Sequence, residues 1–118
     1  MFTAYLIVAI VTIVLNAGAA IADFVSAPFV LKNSAAVDVP RSWIVPLGLA
    51  KAAGAAGLIL GLFGVPYLGA AAAAGLVLFY IGAVLAHVRA RIFRSMAIPG
   101  SLLALAAVVL LLDLAQAR

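Results

Sequence analysis

Four stretches of about twenty residues, at 1–22, 43–63, 67–87 and 98–114, run almost without charge, and Lys51 is the only charged residue deep inside any of them. At about 1.5 Å of rise per residue, each is long enough as an α-helix to cross a hydrocarbon layer of about 30 Å. A helix satisfies all its backbone polar groups internally, which that layer demands of anything spanning it. Composition closes off a soluble alternative. Of the residues 69% are hydrophobic and 8% charged, with a mean hydropathy of +1.41, whereas soluble domains are about half apolar and about one quarter charged. A domain of this size buries only about two-thirds of its chain surface, so the remaining apolar area needs lipid as its solvent. The expected fold is therefore an all-α integral membrane protein, a four-transmembrane-helix bundle forming a single domain over residues 1–118.

The chain has no cysteine, which excludes disulfides, thiolate metal sites and a dithiol relay. A pI near 10.2 rests on only seven Lys and Arg, most of them flanking apolar runs, so no nucleic-acid partner is expected and topology is the better explanation. Ala17-Gly18-Ala19-Ala20 resembles a signal-peptidase site, but no basic residue precedes the apolar run, and the segment is expected to stay as a first helix. Gly64-Val65-Pro66 reads as a short turn joining the second and third spans, and Pro99 suits the first turn of the fourth. With four spans, residues 23–42 and 88–98 share one side of the membrane and carry Lys32, Arg41, Arg89, Arg91 and Arg94. The other side has only Arg118 and the amino terminus. The positive-inside rule then makes those loops cytoplasmic and puts both termini on the extracytoplasmic side. Residues 23–42 are too apolar for a plain solvated loop, and an interfacial helix or a flap over the bundle mouth is expected there.

The polar residues of the spans fall on faces. Tyr5, Thr12, Asn16 and Asp23 lie within roughly 40° of one another at about 100° per residue. Tyr80, His87 and Arg91 form a second stripe by the same reckoning. Polar groups facing hydrocarbon would be unpaired, so both stripes should face inward. Lys51 sits about eight residues into its span, with its Cα roughly 12 Å below the interface, and Gly48, Gly54 and Ala55 on its face favour a helix-helix contact there. Counting depth puts Asn16, Lys51 and Tyr80 at one level, with Asp23, Arg41, His87 and Arg89 nearer the mouth. A two-tier polar pocket open to the cytoplasmic half follows. The fourth span, with only Ser101 and Asp113 near its ends, is expected to be mainly a packing wall.

Simpler readings stand beside these. Lys51 could snorkel and pair with Asp23 only to orient two helices, and Tyr80 and Asn16 could simply cross-link helices. The arginines after His87 serve as a topology signal and an anionic-lipid contact. Gly54, Gly57 and Gly61, with Gly69, Gly75 and Gly82 opposite, are packing residues first. One histidine, no cysteine and two cytoplasmic-side aspartates supply too few ligands for a metal.

At these residues the chain resembles the DoxX-like family of small bacterial four-helix membrane proteins. The likeness covers nearly its whole length: Asn16, Pro40, Gly48-Leu49-Ala50-Lys51-Ala52-Ala53-Gly54, Gly57-Leu58, Pro66, Gly75-Leu76, and Phe79-Tyr80-Ile81-Gly82-Ala83-Val84-Leu85-Ala86-His87-Val88-Arg89. The intramembrane lysine together with the Gly-Ala-x-x-x-His-x-Arg helix end is its most specific part. The resemblance implies the bacterial cytoplasmic (inner) membrane. Wider relatives include a subunit of a thiosulfate:quinone oxidoreductase and a membrane partner of redox-stress enzymes, which implies a quinone or another lipophilic molecule and a redox-linked system. It leaves Lys51 and His87 as the candidate catalytic residues.

The functional expectation is a membrane protein that binds a small lipophilic ligand, a quinone being the cofactor class considered, in a cytoplasmic-side polar pocket made by Asn16, Asp23, Lys51, Tyr80 and His87. Lys51 and Tyr80 would donate hydrogen bonds to its carbonyl, with His87 available for proton exchange. Membrane lipid, a second copy of the chain or a soluble redox partner are the expected partners. A small export transporter is one alternative, weakened because the deep charge is a lysine, not the carboxylate that cation exchange needs. A noncatalytic scaffold subunit is the other.

Overall fold

The computed structural model describes residues 2–65, 67–93 and 96–115. Pro66, Arg94 and Arg118, which figure in the turn and topology expectations, lie outside the described residues. Those described form five α-helices and no strand: α1 Phe2–Phe24, α2 Pro28–Ala36, α3 Ile44–Leu62, α4 Leu68–Ala90 and α5 Ala97–Ala115. Four of them, α1, α3 (with the single 3-10 turn Arg41–Trp43 before it), α4 and α5, are long and apolar enough to cross a membrane. At most 28% of any of these spans is buried within the chain, so most of each apolar surface faces outward. Ile7, Val14, Ile21, Leu78 and Leu111 are all largely exposed, as lipid-facing side chains must be in a bundle this thin. The longest dimension, 42 Å, matches a bilayer with its headgroups, about 40–45 Å.

Local sequence sets the helix ends. Prolines stand in the first turns of α2, α3 and α5, where a missing N–H costs nothing. The hairpin between α3 and α4 turns at Gly64, whose φ of 98° suits glycine. Arg91 adopts the left-handed conformation, and its N–H closes α4 on the carbonyls of His87 and Val88. This corrects the second polar stripe: Tyr80 is buried and His87 half-buried, but Arg91 lies beyond the helix end and is exposed, because helical periodicity no longer applies there.

α1 packs on α3, α3 on α4, α4 on α5 and α5 back on α1, closing a ring. Its core comprises Tyr5, Ala9, Leu58, Ala73, Leu76, Tyr80, Ala106 and Val109. At the hairpin end α3 and α4 touch through small residues. A methyl group added at Gly57 would lie 2.7 Å from the Ala72 Cβ, and one at Gly61 would lie 2.7 Å from the Gly69 Cα. Gly48 permits the same closeness between α3 and α1, with the Asp23 Cβ 2.8 Å from an added methyl. Two of the expected packing glycines differ: nothing lies within 4 Å of a methyl at Gly75 or Gly82, and both are exposed. The apolar connection after α1 contains the helix α2, which has no fully buried residue of its own, while Val37 just after it is buried. Left-handed Ser26 and Asp38 stand at its two ends.

Candidate functional site

Away from the hairpin the ring opens into a cavity of about 940 Å³, within the range of pockets that hold small organic ligands. All four spans contribute, and α2 with the segment after it crosses the outer end through Phe29, Val30 and Val37. The wall is mostly apolar, with Leu47, Phe79, Leu102 and the chain's only tryptophan, Trp43, among its members.

The buried polar groups sit on one part of this wall, while Asn33, Ser34 and Asp38 line its outer end. Lys51, from α3, places its Nζ 2.9 Å from Asp23 Oδ2 of α1, and both side chains are largely withdrawn from solvent. The ammonium also stands 5.6 Å from the centroid of the Phe79 ring of α4, within cation–π range. Lys51 thus points into the bundle, toward the helices that the small residues on its face imply. An ammonium has three donors and no acceptor. Asp23 takes one of them.

Below that level, Asn16 and Tyr80 form a buried pair. The Tyr80 hydroxyl donates to Asn16 Oδ1 at 2.5 Å, and Asn16 Nδ2 donates to the Thr12 carbonyl at 2.8 Å. Thr12 Oγ1 in turn donates to the Val8 carbonyl at 2.8 Å. Tyr80 is in the cavity wall, whereas Asn16 lies behind it and holds its hydroxyl. With its proton so engaged, Tyr80 presents lone pairs to the cavity instead of a donor.

His87, in the last turn of α4, uses Nδ1 to donate to the Ala83 carbonyl at 2.9 Å. A carbonyl only accepts, so the neutral ring has its proton on Nδ1 and an acceptor at Nε2. The structure therefore brings four of the five candidates, Asp23, Lys51, Tyr80 and His87, into one cavity wall. Arg89 also borders it, while Arg41 does not.

Sequence reasoning missed two things. It expected a helix or flap from residues 23–42 at the mouth, where α2 lies, but did not place Trp43 and Phe79 beside it in the apolar wall, since no spacing rule links side chains on separate helices. It also read α5 as a packing wall, yet α5 supplies Asp113, 3% exposed, which accepts from the Tyr5 hydroxyl at 3.4 Å at the hairpin end. The available signal was Tyr5 itself, an inward phenol that needs a partner. Among the described residues, no group of three His, Cys, Asp or Glu converges on a metal position.

A polytopic four-helix membrane protein with a Lys51–Asp23 pair on the wall of a mostly apolar cavity is the class that this fold and site define. Within it, residues 7–109 match the DoxX-like family, and the chain belongs to that family. No curated protein and no solved structure matches it.

Proposed function

We propose that the protein, set in the bacterial cytoplasmic membrane, binds a lipophilic carbonyl-bearing molecule of the quinone class in this cavity, as part of a redox-linked system. The observation that carries the reading is an ammonium with spare donors on the wall of an apolar cavity large enough for a substituted ring. Lys51 donates to one ring oxygen and favours negative charge there, in surroundings where water screens little. Asp23 holds the ammonium in place, Asn16 fixes the Tyr80 phenol beneath it, and Phe79 and Trp43 offer flat apolar faces to the ring. His87 Nε2 is a base beside the cavity mouth, suited to exchanging a proton with the water side. When bound, the quinone itself supplies the redox chemistry.

Trp43 provides the test, because it is the only tryptophan and lines the cavity. Titrating the detergent-solubilised protein with a short-chain benzoquinone should quench its fluorescence saturably, and an excess of an unlabelled ring analogue should relieve the quenching. Quenching that is linear and indifferent to the competitor would remove the ligand from the cavity and favour a scaffold whose glycine contacts are its whole purpose.

A further inference from the structure

Resting on the reading that the cavity holds a molecule of the quinone class, we propose that the site selects the reduced form, the hydroquinone. Its polar wall has few hydrogens to give and lone pairs to spare, so the favoured head is one that brings hydroxyl hydrogens of its own.

A quinone oxygen only accepts, and it needs donors around it. Three of the four candidate side chains on the cavity wall have none to offer. The single hydroxyl hydrogen of Tyr80 goes to Asn16 Oδ1. The single ring hydrogen of neutral His87 goes from Nδ1 to the Ala83 carbonyl. Asp23, as a carboxylate, has no hydrogen at all. Lys51 alone donates, and one of its hydrogens is already committed to Asp23 Oδ2 at 2.9 Å. The other donors that line the cavity stand further out: Asn33, Ser34 and Trp43 belong to α2 and the turn before α3, and Arg89 is exposed.

Acceptors, by contrast, are left over. Neither Asp23 Oδ1 nor His87 Nε2 has a hydrogen bond to a described residue. Among the described residues no fully buried side-chain nitrogen or oxygen lacks a partner, so these two atoms are open and not sealed within the protein. Both side chains line the cavity.

One hydroxyl set against the Lys51–Asp23 pair answers both partners at once. Its oxygen accepts from the ammonium, and its hydrogen goes to Oδ1. A carbonyl oxygen in the same place leaves the carboxylate without a donor and cut off from water, which costs the desolvation of a charged group. For this reason a site that hydrogen-bonds a hydroxyl rejects the analogue lacking it much more strongly than an apolar wall discriminates size. His87 Nε2 takes the same kind of hydrogen. Phe79 and Leu47 meet the same ring carbons in either redox state, so the polar groups alone read the difference.

The experiment is anaerobic titration calorimetry of the detergent-solubilised chain at about pH 8, where an ordinary imidazole is neutral. Tetramethylbenzoquinone, its hydroquinone and the dimethyl ether of that hydroquinone share one ring and differ in the hydrogens they can give. The hydroquinone is expected to bind about tenfold or more tightly than either of the others. Two variants assign the acceptors. His87 bonds only to the Ala83 carbonyl, which the helix ladder already serves, so His87→Leu should fold, and Asp23→Asn keeps the shape and an acceptor for Lys51. Each should lower the hydroquinone affinity about fivefold or more and leave that of the quinone within about threefold. A smaller preference in the wild-type chain, or an ether bound as well as the hydroquinone, would overturn the proposal, as would a preference that survives unchanged in both variants. Failure of all three compounds to bind the wild-type chain would instead bring down the ligand reading on which it rests.

Discussion

At the scale of single residues, the site depends on polar groups whose partners are already in place. Tyr80 and Asn16 are both buried and bonded to each other. Removing one hydroxyl therefore does more than delete a contact, because it leaves the Asn16 oxygen buried without its donor. Tyr80→Phe should lower stability by about 1–3 kcal/mol, read as a drop in the melting temperature in detergent. Asn16→Ala should cost about as much, and the double variant should cost less than the sum of the two. Additive losses would mean that the two residues act independently. This pair was legible in the sequence, since the inward stripe of α1 and the depth count put Asn16 level with Tyr80. Its direction was not. Spacing cannot say that the phenol's proton is spent on Asn16, because that depends on a distance of a few tenths of an ångström between two helices.

For the helices, close approach and open space alternate along α3 and α4, and glycine substitutions read that pattern directly. Gly61→Ala brings a methyl against the Gly69 backbone, which cannot move aside. Gly54→Ala meets Leu76, whose Cδ2 and Cγ would lie 2.5 and 2.7 Å from the methyl and which is itself packed in the core. Both should destabilise by about 1–3 kcal/mol, while Gly75→Ala, with nothing within 4 Å, should be neutral or slightly stabilising. Thermal melting of the three variants gives the order, and a Gly75→Ala loss as large as that of Gly61→Ala would contradict it. The positions of the four spans were legible because hydrophobic length is a strong signal and prolines and Gly64 mark their ends. Which glycines make contact needed the packing direction of α4 as well, since Gly75 and Gly82 lie about 120–140° around that helix from Gly69 and have nothing within 4 Å of an added methyl. Arg91 fell off its stripe for a similar reason: a left-handed residue ends a helix without any glycine to announce it.

Taken whole, the molecule is a ring of four helices tied by glycine contacts at one end and opened around a lysine at the other, with lipid covering its outer face. Lys32, Arg41, Arg89 and Arg91 all belong to the segments at the α2 end, which the positive-inside rule expects in the cytoplasm. Reporter fusions to either terminus should accordingly be active only on the extracytoplasmic side, and fusions active only in the cytoplasm would reverse the bundle. The central claim is that the open end is a binding site and not a brace, and Lys51→Met separates the two. A buried ammonium contributes little net stability, because its desolvation offsets most of the pairing with Asp23, and an apolar side chain of similar length often replaces such a group at small cost. Melting curves and short-chain quinone titrations on both forms should show a melting temperature within a few degrees of wild type and affinity weakened by about tenfold or more. Undiminished affinity together with a much lower melting temperature would contradict the account and make Lys51 a structural tie between α1 and α3.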